Sequence, residues 1–437
     1  MCKELMNTEP VFRKAIEQID EHLQPLANWS IEDKFEADTD YSDPFLNHIA
    51  IFSVQIGLSE LWKSLGVFPD EIIGQSVGEV AAAYVSGGLT LKDAVKVIYY
   101  RSKHLAEQRG GAMMVVGNYG IEKLEKLCDQ YDRKVVVAVY SSPTACTLSG
   151  DRATMQKIKE CLEKEAETES FKILLKELNV QCAYHSSHVE NCLSAIKNDI
   201  GELSGRDETI PHISTVTGEE VPQNTFQSPD YWTDNVRKPV LFMQAVQAAS
   251  HNDTTNVFLE IGPKQVLRAH ISTFLDHKSN IALPSMGYQK ECSLILDSLS
   301  VLYQMGHNVD WDKFYVARGY IVPIPKYVFN KTKMLYYSEP QQRYFKGMPS
   351  EDGAIGQHMF LRSSASENAD YKMTIDKKST PYVYDHFLHN TILVPGATYV
   401  EAAFDIGHRS SESSANELSV SVEFINPLTP SGDKQYQ

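Results

Sequence analysis

Basic residues are in the minority in this 437-residue chain: 41 lysines and arginines against 57 aspartates and glutamates leave a net charge of −16. No positive cluster stands out, which argues against a general nucleic-acid surface. An acidic total still permits a local basic mouth and says little about fold. The seven cysteines, at positions 2, 128, 146, 161, 182, 192 and 292, form no Cys-x-x-Cys pair and are odd in number. A disulfide framework or zinc site is therefore not expected, and a reducing cytosol fits best. No apolar run reaches the ~18 residues of a membrane span, and no charged-then-apolar leader opens the chain. The expectation is a cytoplasmic protein with no membrane partner. Internal repeats and low-complexity tracts are missing too. What is present is a hydrophobic share of 42%, ordinary for globular material, on a chain of roughly two to three domains' length.

One stretch stands out. Ile72-Ile73 leads into Gly74-Gln75-Ser76-Val77-Gly78-Glu79, and Val80 to Val85 then read as a helix that stops at Gly87-Gly88. Strand, tight turn and helix in that order are the context of a nucleophile elbow. Glycines at both ends of the turn remove Cβ atoms where strand and helix fold back on each other. Ser76 would sit at a helix N-terminus, where unpaired N–H groups favour developing negative charge. Two glycines and a serine also occur by chance, so the rest of the chain has to decide.

Downstream come Arg101, in Tyr99-Tyr100-Arg101-Ser102, and His185, in Cys182-Ala183-Tyr184-His185-Ser186-Ser187-His188. Ile213 to Gly218, Tyr231 to Val240 (Tyr-Trp-Thr-Asp-Asn-Val-Arg-Lys-Pro-Val) and Phe258 to Pro263 follow. Together these segments resemble the malonyl/acyl-CoA:acyl-carrier-protein transacylases, in the form of the acyltransferase domain of type I polyketide synthases and animal fatty acid synthases. The likeness runs from Met1 to about Tyr337. A second one begins at Tyr384-Asp385-His386 and runs to Pro395-Gly396-Ala397. This segment looks like the opening of the dehydratase domain of such synthases, with Asn390 where that family carries glycine. The resemblance further implies that the family's first strand and Gly-Gln-Gly loop lie upstream of Met1, and that the dehydratase part is incomplete.

The fold expected is α/β. Residues 1–111 and 183–284 would form a hydrolase-like parallel-sheet core, and 112–182 a ferredoxin-like insert. Within the insert the pattern runs strand (Met113 to Val116), helix (Ile121 to Tyr131), strand (Val135 to Tyr140), strand (Ala145 to Ser149), helix (Ala153 to Lys164) and strand (Phe171 to Leu178), a β-α-β-β-α-β order. Residues 285–350 would be a linker, with a boundary near Pro349 to Gly356. Residues 355–437 would be the first part of a hot-dog-type dehydratase. Asn47 to Trp62 shows apolar residues at helical spacing, and a helix there would lie beside the elbow.

The chemistry follows from residue types. A serine hydroxyl is a weak nucleophile until a base takes its proton, and His185 is the expected base. His188 is the rival. His185 is preferred because the family's catalytic histidine is followed by Ser or Cys. The resemblance implies a Ser–His pair whose imidazole is oriented by backbone carbonyls, an oxyanion donor at the N–H of Val77, and a ping-pong transfer of an acyl group. The substrates would be acyl-CoA and the phosphopantetheine thiol of an acyl carrier protein, with no bound cofactor or metal. Neighbouring ketosynthase and dehydratase domains would be the other partners. Arg101 is expected to hold a carboxylate on the acyl group through two parallel hydrogen bonds. Bulky Tyr184 before the histidine and Val77 after the serine point to malonyl over branched extenders.

Some positions depart from the family. Gln75 replaces a common histidine in the substrate-binding turn, and Ser141 stands where asparagine is usual. His386 would be the dehydratase base, with no acid partner in the chain. A serine hydrolase with the same elbow, or a non-catalytic remnant of a synthase, are the other readings.

Overall fold

The computed structural model describes residues 1–37, 39–251, 253–276, 278–315, 319–320, 322–332, 342, 346, 361–363, 371–373, 375–377, 380–410 and 418–430. The chain divides into two compact units, Met1–Tyr320 and Ile321–Gln437. The expected boundary at Pro349 to Gly356 lies outside the described residues, and the expected linker 285–350 spans the break between the units.

The first unit is built on the helix Pro44–Ser64. Asp43 caps it by accepting from the Phe45 N–H, and Pro44 opens its first turn, where a missing N–H costs nothing. Its buried residues, among them Ile49, Phe52, Val54, Ile56, Leu58 and Trp62, lie all round the helix. Such a helix belongs in the middle of a core. It packs against the helices Pro10–Ala27, Gly78–Val85 and Leu91–Ala106.

Beside these helices lie the parallel strands. β1 (Ile72–Gly74) pairs with β6 (His212–Ser214), and β7 (Asn256–Glu260) with β8 (Asn280–Pro284), both in parallel. The expected parallel core thus comes as two pairs. Between β1 and β7 lies a cavity of about 650 Å³, lined among others by Trp62, Ile73, Phe242, Val246, Phe258 and Leu302. Among the described residues no strand fills that space.

The insert has the expected order. β2 (Gly111–Gly117), the helix Ile121–Asp129, β3 (Val135–Ser142), β4 (Ala145–Asp151), the helix Arg152–Glu169 and β5 (Leu174–Glu177) follow in turn. The sheet order is β3-β4-β2-β5, antiparallel throughout. Its own core is Met114, Val116, Leu124, Val135, Leu148 and Ile158.

In the second unit, Phe387–Leu388 and Thr391–Ile392 form an antiparallel hairpin. Its two turn residues, His389 and Asn390, have φ of 46° and 62°. Two consecutive positive φ values define the type I′ turn that matches strand twist, and asparagine tolerates that region better than most residues. The replacement of the family's glycine by Asn390 is therefore compatible with the backbone found there. Ile375, Val383, Tyr384 and Val394 form the small core of this unit.

Candidate active site

The elbow is a turn that only its own sequence permits. Ser76 has φ 52°, a left-handed conformation that is strained for a residue with a side chain. A Cβ on Gly74 would lie 2.4 Å from Glu79 Cα, so a larger residue cannot stand there. Gln75 closes the turn by accepting from the Gly78 N–H, at 2.9 Å. Below it Glu79, fully buried, ties the elbow helix to the residues at the end of β6. Its carboxylate accepts from the Thr215 N–H and the Thr215 hydroxyl, both at 2.6 Å, and from Ser214 Oγ and Tyr231 OH. Burial raises the Glu79 pKa, and the bonds from Thr215, Tyr231 and Ser214 oppose that rise.

The strained turn holds Ser76 Oγ 2.7 Å from His185 Nε2. On the other side of the ring, His185 Nδ1 lies 2.9 Å from the carbonyl oxygen of Lys238. A carbonyl can only accept, so Nδ1 carries the proton and Nε2 is left as the acceptor for the serine O–H. No carboxylate is needed to fix this tautomer. His188 sits on the short helical turn Ser187–Val189, where its N–H donates to Ser186 Oγ at 3.3 Å.

Arg101 comes from the middle of the helix Leu91–Ala106 and is 2% exposed. Its Nε donates to Asn235 Oδ1 at 3.1 Å and its Nη2 to Ser76 Oγ at 3.3 Å. Asn235 Nδ2 in turn donates to the Ser76 carbonyl at 3.1 Å. Arg101 Nη1 is buried without a hydrogen-bond partner. Two of its three nitrogens are thus engaged by the protein, and Nη1 is the wholly free donor. Desolvation lowers the pKa of this guanidinium to about 10, which leaves it charged at neutral pH.

Val77 follows the nucleophile at the helix N-cap, and among the described residues no acceptor is recorded for its N–H. Tyr184 is half-buried, and its carbonyl accepts from Ser149 Oγ at 2.6 Å. The structure therefore brings Ser76, His185 and Arg101 together, with Gln75 and Val77 flanking the serine and Tyr184 next to the histidine along the chain. His386 lies in the second unit, exposed, with Nδ1 2.8 Å from the Leu393 carbonyl. Among the described residues no cluster of three or more His, Cys, Asp or Glu could hold a metal ion, and no helix is long and apolar enough to cross a membrane.

Residues 1–304 match the acyl transferase domain family, and residues 358–437 match the polyketide synthase dehydratase domain. The chain belongs to the acyl transferase domain family. Among its relatives are polyketide synthase GfsB of Streptomyces halstedii, 28% identical over 98% of this chain and 8% of that protein. The mycoketide-CoA synthase of Mycobacterium tuberculosis is 30% identical over 98% of this chain and 10% of its own length. The chain thus spans about a tenth of these relatives. The acyltransferase domain from module 8 of the salinomycin polyketide synthase is 26% identical with a TM-score of 0.66, covering 72% of this chain and 74% of that one. The malonyl CoA-acyl carrier protein transacylase of Clostridium perfringens shares the fold, with a TM-score of 0.61 at 21% identity over 70% of this chain and 93% of that one.

Three residues of this acyl transferase domain gain importance only from the structure. Asn235 and Glu79 lie inside the motifs that mark the family, but no pattern in the sequence ties them to Ser76. His48, on the helix Pro44–Ser64, holds its ring 5.7 Å from that of Tyr184, tilted by 58°; its only signal was helical spacing.

Buried imidazoles also set the acid limit of the domain. Burial pushes His185 and His212 down to about 3, with Arg101 adding to the effect at His185. An unfolded histidine titrates near ~6.5. Between those values the unfolded chain binds a proton that the folded one refuses, so stability is lost as pH falls below about 6.5. Each histidine should cost about 2 kcal/mol by pH 5, with Glu79 acting in the opposite sense. Urea midpoints at pH 7, 6 and 5 should fall steadily, and His212→Phe should flatten part of the slope. A midpoint that is level over this range would contradict the assignment.

Proposed function

We propose that this chain is the acyltransferase segment of a polyketide or fatty acid synthase, moving a malonyl group from coenzyme A to the phosphopantetheine thiol of an acyl carrier protein. The observation that carries it is the convergence on Ser76 Oγ of a base with a free lone pair, His185 Nε2 at 2.7 Å, and a buried guanidinium with an unpartnered Nη1.

Ser76 gives its proton to His185 Nε2 as Oγ attacks the thioester carbonyl carbon. The Val77 N–H at the helix N-terminus takes the oxyanion. The C–S bond then breaks, and the imidazolium protonates the departing CoA thiolate. The carrier thiol repeats these steps in reverse on the acyl-Ser76 ester, with His185 again as base. Arg101 Nη1 would meet the carboxylate of the malonyl group, and Tyr184 would crowd out an α-branch. A single methyl is worth only about 1–3 kcal/mol, so a preference rather than absolute selection is expected. Dehydration at His386 would need an acid that the described residues do not bring to it.

The test is intact-protein mass after brief exposure to malonyl-CoA or acetyl-CoA. A malonyl-sized adduct that is weaker with acetyl-CoA and abolished by Ser76→Ala is the expected result. Rapid release of free acid in place of a stable adduct would point instead to a serine hydrolase.

A further inference from the structure

His185 carries its ring on a backbone that resists the position. Its φ is 57°, a left-handed conformation that is costly for a residue with a side chain and persists only where neighbours impose it. The peptide group in front of it shows what imposes it. The N–H of that group, on His185, donates to the Val236 carbonyl at 3.2 Å, and its C=O, on Tyr184, accepts from Ser149 Oγ at 2.6 Å. Both polar atoms of one peptide unit are thus held, and the unit cannot turn without losing a bond. Turning it would change φ at His185 and swing the imidazole away from Ser76 Oγ.

Ser149 is placed to make this hold a rigid one. It lies on β4, an inner strand of the insert, and is paired on one side with Met113 of β2 and on the other with Val136 of β3. Its side chain is fully buried. A serine hydroxyl has a single O–H to give, and here it goes to Tyr184. The insert reaches the support of the ring as well. The Val240 N–H donates to the Ala138 carbonyl at 2.8 Å, and the Val240 carbonyl accepts from the Tyr140 N–H at 2.9 Å. That anchor lies two residues beyond Lys238, whose carbonyl accepts from His185 Nδ1.

We propose that Ser149 is a positioning residue for the reaction: by holding the Tyr184 carbonyl from the insert, it keeps His185 in the left-handed backbone that aims Nε2 at Ser76 Oγ. The nucleophile is then set by the parallel-sheet core, and the base is aimed by the insert. This rests on the Ser76–His185 reading given above.

Single-turnover acylation of Ser76 by malonyl-CoA, read by intact-protein mass over a range of thioester concentrations, separates this role from a structural one. Ser149→Ala should lower the saturating rate constant about 10–100-fold, the range of a misplaced catalytic group. The amplitude and the half-saturating concentration should stay close to those of the parent, whereas a folding defect would lower the amplitude and spare the rate constant. Ser149→Thr, which keeps the O–H, should recover most of the rate. In a His185→Ala background Ser149→Ala should cost little more, because the ring it aims is gone. Ser149→Cys, near serine in size and a weak donor, serves if the alanine variant does not fold, as judged by its melting curve, and should fall between alanine and parent. A rate constant unchanged in the alanine and cysteine variants overturns the role of Ser149 and leaves the Ser–His reading standing, as does a loss in the His185→Ala background equal to that in the parent. A parent chain that is not acylated, or is not slowed by His185→Ala, overturns both.

Discussion

His185→Ala is expected to slow acylation of Ser76 by malonyl-CoA roughly 10⁴-fold, the upper end of what a positioned general base supplies. The reason is geometric. Ser76 Oγ has one imidazole partner, at 2.7 Å, and the Lys238 carbonyl at 2.9 Å leaves the facing nitrogen of that ring unprotonated. His188→Ala should leave the rate close to that of the parent, because His188 contributes nothing to this arrangement. Single-turnover mass measurements on the two variants decide the matter. Equal losses in both, or a larger loss at His188, would move the base to the other histidine. The backbone supports the asymmetry: His185 itself has φ 57°, and its N–H donates to the Val236 carbonyl at 3.2 Å. The segment before Lys238 therefore holds His185 by backbone and ring together. A substitution at Lys238 should have little effect by the same logic, since its main chain accepts the bond.

How much of this was legible in the sequence depends on the range of the contact. The elbow is a local feature: Gly74 is required by the Glu79 backbone five residues on, and Gly78 faces the end of Gln55 on the adjacent helix, so its sequence announces it. The insert was equally readable, because each of its strands and helices shows its own period along the chain, although the sheet then orders the strands β3-β4-β2-β5. The ends of elements were less so, with β5 running from Leu174 to Glu177 against an expected Phe171 to Leu178. Arg101 and His185 were visible only through resemblance, since nothing local distinguishes a buried arginine from one on a helix surface. Asn235, Glu79 and His48 stayed silent for the same reason. Their roles are made by partners far away in the chain: Asn235 bonds Arg101, Glu79 bonds Thr215, and the His48 ring meets that of Tyr184. Asn390 is the reverse case. The sequence marked it as a departure, and its φ of 62° shows why the backbone accepts it.

Arg101→Ala is expected to cut malonyl transfer by about 10²–10³, from loss of a buried pairing worth roughly 3 kcal/mol or more, and to erase most of the preference over acetyl-CoA. Its effect on the free protein should be different in kind. Arg101 is buried and reaches only neutral partners, the Asn235 amide and the Ser76 hydroxyl. Removing a desolvated cation with no anion in hydrogen-bond contact relieves a cost, which the more distant Glu79 only partly offsets, so the melting temperature should fall far less than for a core truncation of similar size. A second consequence concerns the base. After burial, Arg101 is the cause that holds His185 low. Without that charge the imidazole should titrate higher, moving the acid limb of Ser76 acylation by acetyl-CoA to higher pH. A bound carboxylate would do the same in the parent chain by neutralising Arg101, so malonyl-CoA should show a higher acid limb than acetyl-CoA there. In the variant the malonyl carboxylate acts on His185 without Arg101 to offset it, so the difference between the two thioesters should persist, with both limbs at higher pH. Brief acylation pulses carried from pH 8 down towards pH 3, the range in which burial and Arg101 hold His185, test this directly. If Arg101→Ala slows both thioesters equally and leaves their pH limbs unmoved, Arg101 is a packing residue and the selection of the carboxylate lies elsewhere in the pocket.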